Sequence, residues 1–401
     1  MPQASVLCWP LMPRVEFAYF DAGGGHRAAV TALEQAIVAR GLAWELRASN
    51  LQEILDRLDW FQAITGVRIQ DAYNGMLRRE WTLGSVRLLR LLQGGIRLWH
   101  RGIVEMLEQR WRDERPDLLV SCVPNFNRAL GESFARAFPG RPFVTILTDL
   151  ADFPPHFWIE REPQDFICGT DRAVEQALAL GHPRERIHRV SGMILAPQFY
   201  EPGAIDRRQE RIRLGLDPDL ATGLVLFGGY GSKAMRVISR RLDRSGLEVQ
   251  LILLCGRNQA LERALGAEKA RRPRLVAGFT TRVSDYMRLA DFFIGKPGPG
   301  SLSEAMAMRL PAIVVANART LPQERYNAQW VLENEVGFVL GSFREIEDAV
   351  SRMIEPGMLA RLRANTAKLE NRAIFEIPDV LAWLLARYGP ATAPSMPERV
   401  G

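Results

Sequence analysis

His26 follows three consecutive glycines in the stretch FDAGGGHRAA and is one of five histidines in 401 residues. The run before it, Arg14 to Phe20, is apolar and aromatic and reads as a strand, and Arg27 to Gly41 reads as a helix that stops on glycine. Glycines at such a junction let the chain turn sharply and leave the first N–H groups of the helix open to a ligand. An imidazole at a helix N-terminus meets the positive end of the peptide dipole, which disfavours imidazolium. The spacing therefore predicts a neutral His26 able to take a proton as a general base. A tight turn with a capping histidine is the alternative on these residues alone. The spacing is not GxGxxG, which argues against a dinucleotide site.

Two further glycine clusters follow apolar runs. In LVLFGGYGS, Gly229, Tyr230, Gly231 and Ser232 join a strand to a helix, with Lys233 at the mouth. Backbone N–H groups in such a loop can point at a diphosphate, although a plain turn reads the same way. In FFIGKPGPGSLSEAMAMRLPAIVVAN, Gly298 to Ser301 form a second open helix N-terminus, with Glu304 expected on the first turn. A carboxylate there can accept both hydroxyls of a ribose while Gly300 and Ser301 hold the attached phosphate. Next, RTLPQERYNAQW places Gln323, Glu324 and Asn327 on a strand-to-helix loop, and such side chains suit sugar hydroxyls. Asp149, Asp152 and His156 lie at and beyond another strand end, where one of them either orients His26 or is itself the base. A polar loop beside the cleft is the plainer alternative for Asp152 and His156. His100, His182 and His188 read as ordinary surface or loop residues.

Holding these loops in place requires repeated strand-helix units, and the chain supplies them. Apolar runs PDLLVSCV, RPFVTILTD, DFICGT, GLVLFGG, VQLILLCG, RLVAGF, DFFIGK and PAIVVAN alternate with helical patterns. That alternation indicates an α/β protein with parallel sheets and crossover helices. A proline- and charge-rich stretch from Ala196 to Gly223 reads as an interdomain linker. The expected organisation is two doubly wound halves, residues 1–200 and residues 201–372, with a helix at about 373–388 packing back on the first. The tail 389–401 is expected to be disordered. Ligands belong at the carboxyl ends of the strands and in the cleft between the halves.

Hydrophobic residues make up 47% and charged residues 24%, ordinary for a globular chain. Cys8, Cys122, Cys168 and Cys255 are far apart with no CxxC pair, which suggests neither a zinc site nor a disulfide framework. No apolar run approaches the ~20 residues that span a bilayer, and the start lacks a signal-peptide layout, so a cytoplasmic protein is expected. Net charge is +6 and most of the base is arginine, which favours an anionic partner. Along Val86 to Val104, Arg87, Arg90, Arg97 and Arg101 share one arc, with Leu88, Leu92, Ile96, Trp99 and Ile103 opposite. A basic amphipathic helix of this kind can lie on an anionic membrane; a helix packed on the core, or one broken at Gly94-Gly95, fits the same residues.

Taken with VTILTDLADFPPHFW, VSGMILAPQFYEP, LLCGRN and LPQERYNAQWVLENEVGFV, the glycine motifs resemble GT-B glycosyltransferases of the family that includes monogalactosyldiacylglycerol synthase and the N-acetylglucosaminyltransferase of lipid II assembly. GGGHRA, TDL and QE before an asparagine fit the diacylglycerol branch better. The resemblance implies two Rossmann-like domains facing a cleft and inverting, metal-free transfer of a hexose (galactose, glucose or N-acetylglucosamine) from a UDP-sugar. The acceptor is a lipid such as diacylglycerol, on the inner face of the cell membrane, with no nucleic acid involved and no cofactor required. It implies that Gly229 to Ser232, Gly298, Gly300 and Ser301 surround the diphosphate, Glu304 holds the ribose, and the backbone near Phe279 holds the uracil. Gln323 and Glu324 would hold the sugar, with Asn327 beside them, and Arg257 would join the helix N-termini in stabilising the leaving group. His26 would take the acceptor's proton. A UDP-sugar epimerase or hydrolase, or a non-enzymatic nucleotide-sugar-binding protein, are the alternatives on the same architecture.

Overall fold

The computed structural model describes residues 12–21, 25–55, 93–201 and 205–388. Twelve strands are present among them: β1 Arg14–Tyr19, β2 Glu45–Asn50, β3 Leu118–Ser121, β4 Phe143–Ile146, β5 Asp165–Cys168, β6 Ile187–Arg189, β7 Ala221–Leu226, β8 Val249–Leu254, β9 Arg274–Ala277, β10 Phe292–Gly295, β11 Ala312–Val315 and β12 Gly337–Leu340. They form two six-stranded sheets in the orders β2-β1-β3-β4-β5-β6 and β12-β11-β10-β7-β8-β9. Every pairing is parallel. Strand order reverses between β1 and β3 in the first sheet and between β7 and β10 in the second. Such switch points open a crevice at the carboxyl ends of the strands.

The central strands are buried on both faces, which is why they are legible as continuous apolar runs. Phe17 and Val120 pack with Leu33 and Ile37 of the helix Gly25–Ala39. The helix Ala373–Tyr388 adds Ile374, Ile377, Leu381 and Leu384 to this same core, although it follows the whole second sheet in sequence. The second sheet is covered on one side by Leu302 and Met306 and on the other by Met235, Ile238 and Val350. No helix among the described residues is long and apolar enough to cross a membrane.

The proline- and charge-rich stretch is not a bare linker. It holds a 3-10 turn, Pro197–Phe199, and a helix, Arg207–Arg213, capped by the Asp206 carboxylate. Arg211 is buried and donates to Asp291 Oδ2 at 2.8 Å and to the Leu289 carbonyl, while Arg207 and Arg363 reach Asp291 Oδ1. Burial opposes the charge on Asp291, but Arg207, Arg211 and the Thr222 N–H together hold it below the ordinary carboxylate range. Charge in this stretch therefore marks an ion-pair hub of the second sheet.

Of the basic amphipathic segment, Arg87, Arg90, Leu88 and Leu92 lie outside the described residues. Residues 93–98 are helical, and the Trp99 N–H still donates to the Gly95 carbonyl at 3.0 Å, so Gly94-Gly95 does not end the helix. Ile103 is buried, whereas Arg97, Leu98 and Arg101 face solvent and Trp99 is 41% exposed.

Candidate active site

His26 is the second residue of the helix that follows β1. Its Nδ1 lies 2.9 Å from Thr148 Oγ1, and its ring centroid is 5.7 Å from that of Trp158. Burial pulls its pKa down to about 4. The ring is thus neutral at pH 7, in the direction expected of a helix N-terminus, with desolvation as the cause. If Nδ1 carries the proton and donates to Thr148, Nε2 is left with its lone pair.

Thr148 and Asp149 stand just past β4, whose carboxyl end lies beside that of β3. Asp149 is buried, and its Oδ2 accepts from the Trp158 indole N–H at 2.9 Å. Desolvation lifts its pKa to about 7 against the pull of the indole. Asp152 has a different occupation. Its Oδ1 accepts the Trp158 N–H at 2.6 Å and its Oδ2 the His156 N–H at 3.0 Å, while Gln176 pairs with its own backbone. With both oxygens taken by the loop, Asp152 shapes residues 152–158. His156 sits at φ 64°, and its ring turns toward Glu160, with Nδ1 3.9 Å from Oε2. The hydroxyl that contacts His26 is neither aspartate's: Thr148 and Trp158 are the partners sequence reasoning overlooked, although both lie in the stretch that carried the resemblance. Their signal was a buried tryptophan after a polar loop, where an indole N–H needs an acceptor.

In the second half, Gly228 and Gly231 adopt φ of 70° and 59°, closed to most side chains. A Cβ on Gly231 would lie 2.7 Å from the Cys255 carbonyl oxygen, and one on Gly256 2.4 Å from that of Gly229. The loops after β7 and β8 therefore touch backbone to backbone. The Arg257 N–H donates to the Gly229 carbonyl at 2.8 Å, and Asn258 Nδ2 to the Tyr230 carbonyl at 3.3 Å. Ser232 Oγ accepts the Ala234 N–H at 3.1 Å at the start of the next helix. The Arg257 guanidinium rests over the Phe279 ring, 4.7 Å from its centroid, and Phe279 is 57% exposed.

Gly298 precedes the helix Pro299–Ala307, which leaves the N–H groups of Gly300 and Ser301 without helical acceptors. Glu304 is not on the first turn as expected but one turn further in, since the helix starts at Pro299. Burial raises its pKa to about 7. Glu324 is buried, with Oε1 2.5 Å from Lys296 Nζ. Gln323 beside it is partly buried. Asn327 is wholly buried, and its Nδ2 donates to the Pro297 carbonyl at 2.7 Å. It thereby holds the loop before Gly298 from below, while its Oδ1 is buried without a hydrogen-bond partner among the described residues. Leu150, next to Asp149, shares a buried cluster with Ala305 and Met306 of the second half, so the halves meet here, and Glu324 raises the pKa of Asp149 while Lys296 lowers it.

Residues 224–380 match the glycosyltransferase family 28 C-terminal domain. The chain is 28% identical over 382 residues to a probable monogalactosyldiacylglycerol synthase 2 of Oryza sativa subsp. japonica, covering 89% of this chain and 77% of that protein. It is 29% identical over 255 residues to the monogalactosyldiacylglycerol synthase of Spinacia oleracea, covering 60% and 47%. Among solved structures, Acinetobacter baumannii MurG superposes with a TM-score of 0.58 at 11% identity, over 92% of this chain and 99% of that one. Anabaena Alr3699/HepE in complex with UDP gives 0.54 at 14% identity, over 94% and 100%. Two facing doubly wound domains and these superpositions give the chain the GT-B fold, and the matches in sequence make it similar to glycosyltransferases. Among these it resembles the monogalactosyldiacylglycerol synthases.

Proposed function

We propose that the protein transfers a hexose from a UDP-sugar to the hydroxyl of a diacylglycerol-like lipid at a membrane surface, inverting the anomeric configuration. The observation that carries this reading is the opposition of a neutral His26 in the first half to two glycine loops and the open helix N-terminus at Gly300 in the second. Residues 1–200 with the helix Ala373–Tyr388 take the acceptor, and residues 201–372 take the donor. The acceptor's oxygen attacks the anomeric carbon while His26 Nε2 receives its proton, and UDP leaves from the opposite side, which inverts the centre. The N–H groups of Gly229 to Ser232, Gly300 and Ser301 meet the diphosphate, and their fixed dipoles supply positive potential without a metal. Glu304 meets the ribose, the backbone near Phe279 the uracil, and Gln323 with Glu324 the sugar. Asp152 and His156 shape the acceptor wall.

The names of the relatives support a lipid acceptor, and the surface at Arg97, Leu98, Trp99 and Arg101 gives it a place to meet the membrane. Cationic and aromatic side chains together suit an anionic lipid surface. The test is turnover of UDP-galactose, UDP-glucose and UDP-N-acetylglucosamine with diacylglycerol in phosphatidylglycerol vesicles. Glycolipid formation that weakens as salt rises is the expected result. Sugar released equally without lipid would make the protein a hydrolase instead.

Glu304→Ala is expected to weaken UDP binding by about 1 to 3 kcal/mol, the range for losing hydrogen bonds to a charged partner. Calorimetry on a folded variant with unaltered UDP affinity would remove Glu304 from the site.

A further inference from the structure

The turn after β7 and the open helix N-terminus at Gly298 converge on one cation. Lys296 leaves the carboxyl end of β10 at the switch point of the second sheet. A Cβ on Gly228 would lie 3.9 Å from its Cε, and one on Gly298 would lie 3.4 Å from Cε and 3.8 Å from Nζ. The ammonium thus sits between the turn after β7 and the open N-terminus of the helix Pro299–Ala307. Its partner Glu324 has a side chain only 8% exposed, whereas that of Lys296 is 38% exposed. The carboxylate anchors the pair from below while the ammonium keeps a face toward the cleft. Arg257, expected in this role from the sequence, stands after β8, one strand away from the switch point, with its guanidinium laid on Phe279.

We propose that Lys296 is a catalytic residue that contacts the β-phosphate of the departing nucleoside diphosphate. This rests on the UDP-sugar reading above. As the acceptor oxygen bonds to the anomeric carbon, the bond from that carbon to the β-phosphate oxygen breaks and its electron pair stays on the oxygen. The acceptor's proton goes to His26. The diphosphate then gains one negative charge, and an ammonium already fixed beside that oxygen stabilises it more in the transition state than in the bound donor. Glu324 keeps the ammonium in place between turnovers.

UDP and UMP, which differ by the β-phosphate, are titrated into the unaltered protein, Lys296→Met and Arg257→Gln by calorimetry, with transfer rates measured alongside. Lys296→Met is expected to lose about 10- to 100-fold in UDP affinity, the weight of a charge-assisted contact, with UMP affinity within about threefold and a lower kcat. Arg257→Gln is expected to affect UDP and UMP alike. Should Lys296→Met fail to fold with Glu324 left unpaired, the double variant Lys296→Met/Glu324→Gln removes the buried charge and permits the same comparison. Equal losses for the two nucleotides, or UDP binding within threefold, overturn the assignment alone. An unaltered protein that binds neither nucleotide overturns it together with the UDP-sugar reading.

Discussion

His26→Ala is expected to lower kcat by about 10² to 10⁴, the usual span for removing a general base, with UDP affinity little changed. The separation follows from the fold, because His26 stands on the first sheet and the nucleotide loops on the second. A turn or cap role predicts something else: a stability loss of about 1 kcal/mol with turnover kept. The pH profile adds a second criterion. Burial holds His26 near 4 and Asp149 near 7. A base with the lower value stays competent until the solution is acidified toward pH 4, so the acid limb of kcat/KM is expected there. A limb near 7, with His26→Ala turning over within a few-fold of the unaltered enzyme, would hand the proton to Asp149.

Much of the frame was legible because the central strands are buried on both faces and must be written in apolar residues. Strands β2 and β6 were missed for the converse reason, and β12, though apolar, is a four-residue edge strand with no glycine or proline between it and the helix before it. Each lies at a sheet edge, β2 carries Glu45 and Arg47 toward solvent, and β6 is only three residues long. The glycine loops stood out because positive φ and backbone-to-backbone contact leave few other residues acceptable, as at Gly231 against Cys255. What local sequence cannot carry is the direction in which a polar group points. Asp149 and Asp152 are three residues apart and chemically identical, yet one accepts an indole N–H near the cleft and the other ties its own loop. The His26–Thr148 contact spans 122 positions, and the pairing of Lys296 with Glu324 depends on the crossing of two strand-helix units. The stack of Arg257 on Phe279 likewise arises only from tertiary packing.

Asp149→Asn is expected to stabilise the folded protein at pH 8 and to leave it almost unchanged at pH 4. The ordinary value for this carboxyl is 3.8, and in the folded protein burial raises it to about 7. Below pH 4 both folded and unfolded chains hold the proton, and nothing is lost. Between pH 4 and 7 the unfolded chain releases it and the folded one does not, so stability falls as pH rises. Above pH 7 the loss is complete, on the order of 4 kcal/mol for about three pKa units before relaxation is allowed for. Asparagine keeps an oxygen for the Trp158 indole and carries no charge to desolvate. Urea denaturation of both proteins at pH 4 and pH 8 measures the difference; a gap that fails to widen would mean that Asp149 ionises without penalty. The same variant bears on function. Two groups of the donor half, Glu324 and Lys296, act on this carboxyl from across the cleft, Glu324 raising its pKa and Lys296 lowering it. A UDP-sugar placed between them brings negative charge, which raises the pKa further and makes an uncharged Asp149 the better neighbour. An amide imitates that uncharged form. If His26 is the base, Asp149→Asn keeps turnover within about tenfold while gaining stability, the exchange expected where a site holds an acid for binding at the expense of the fold.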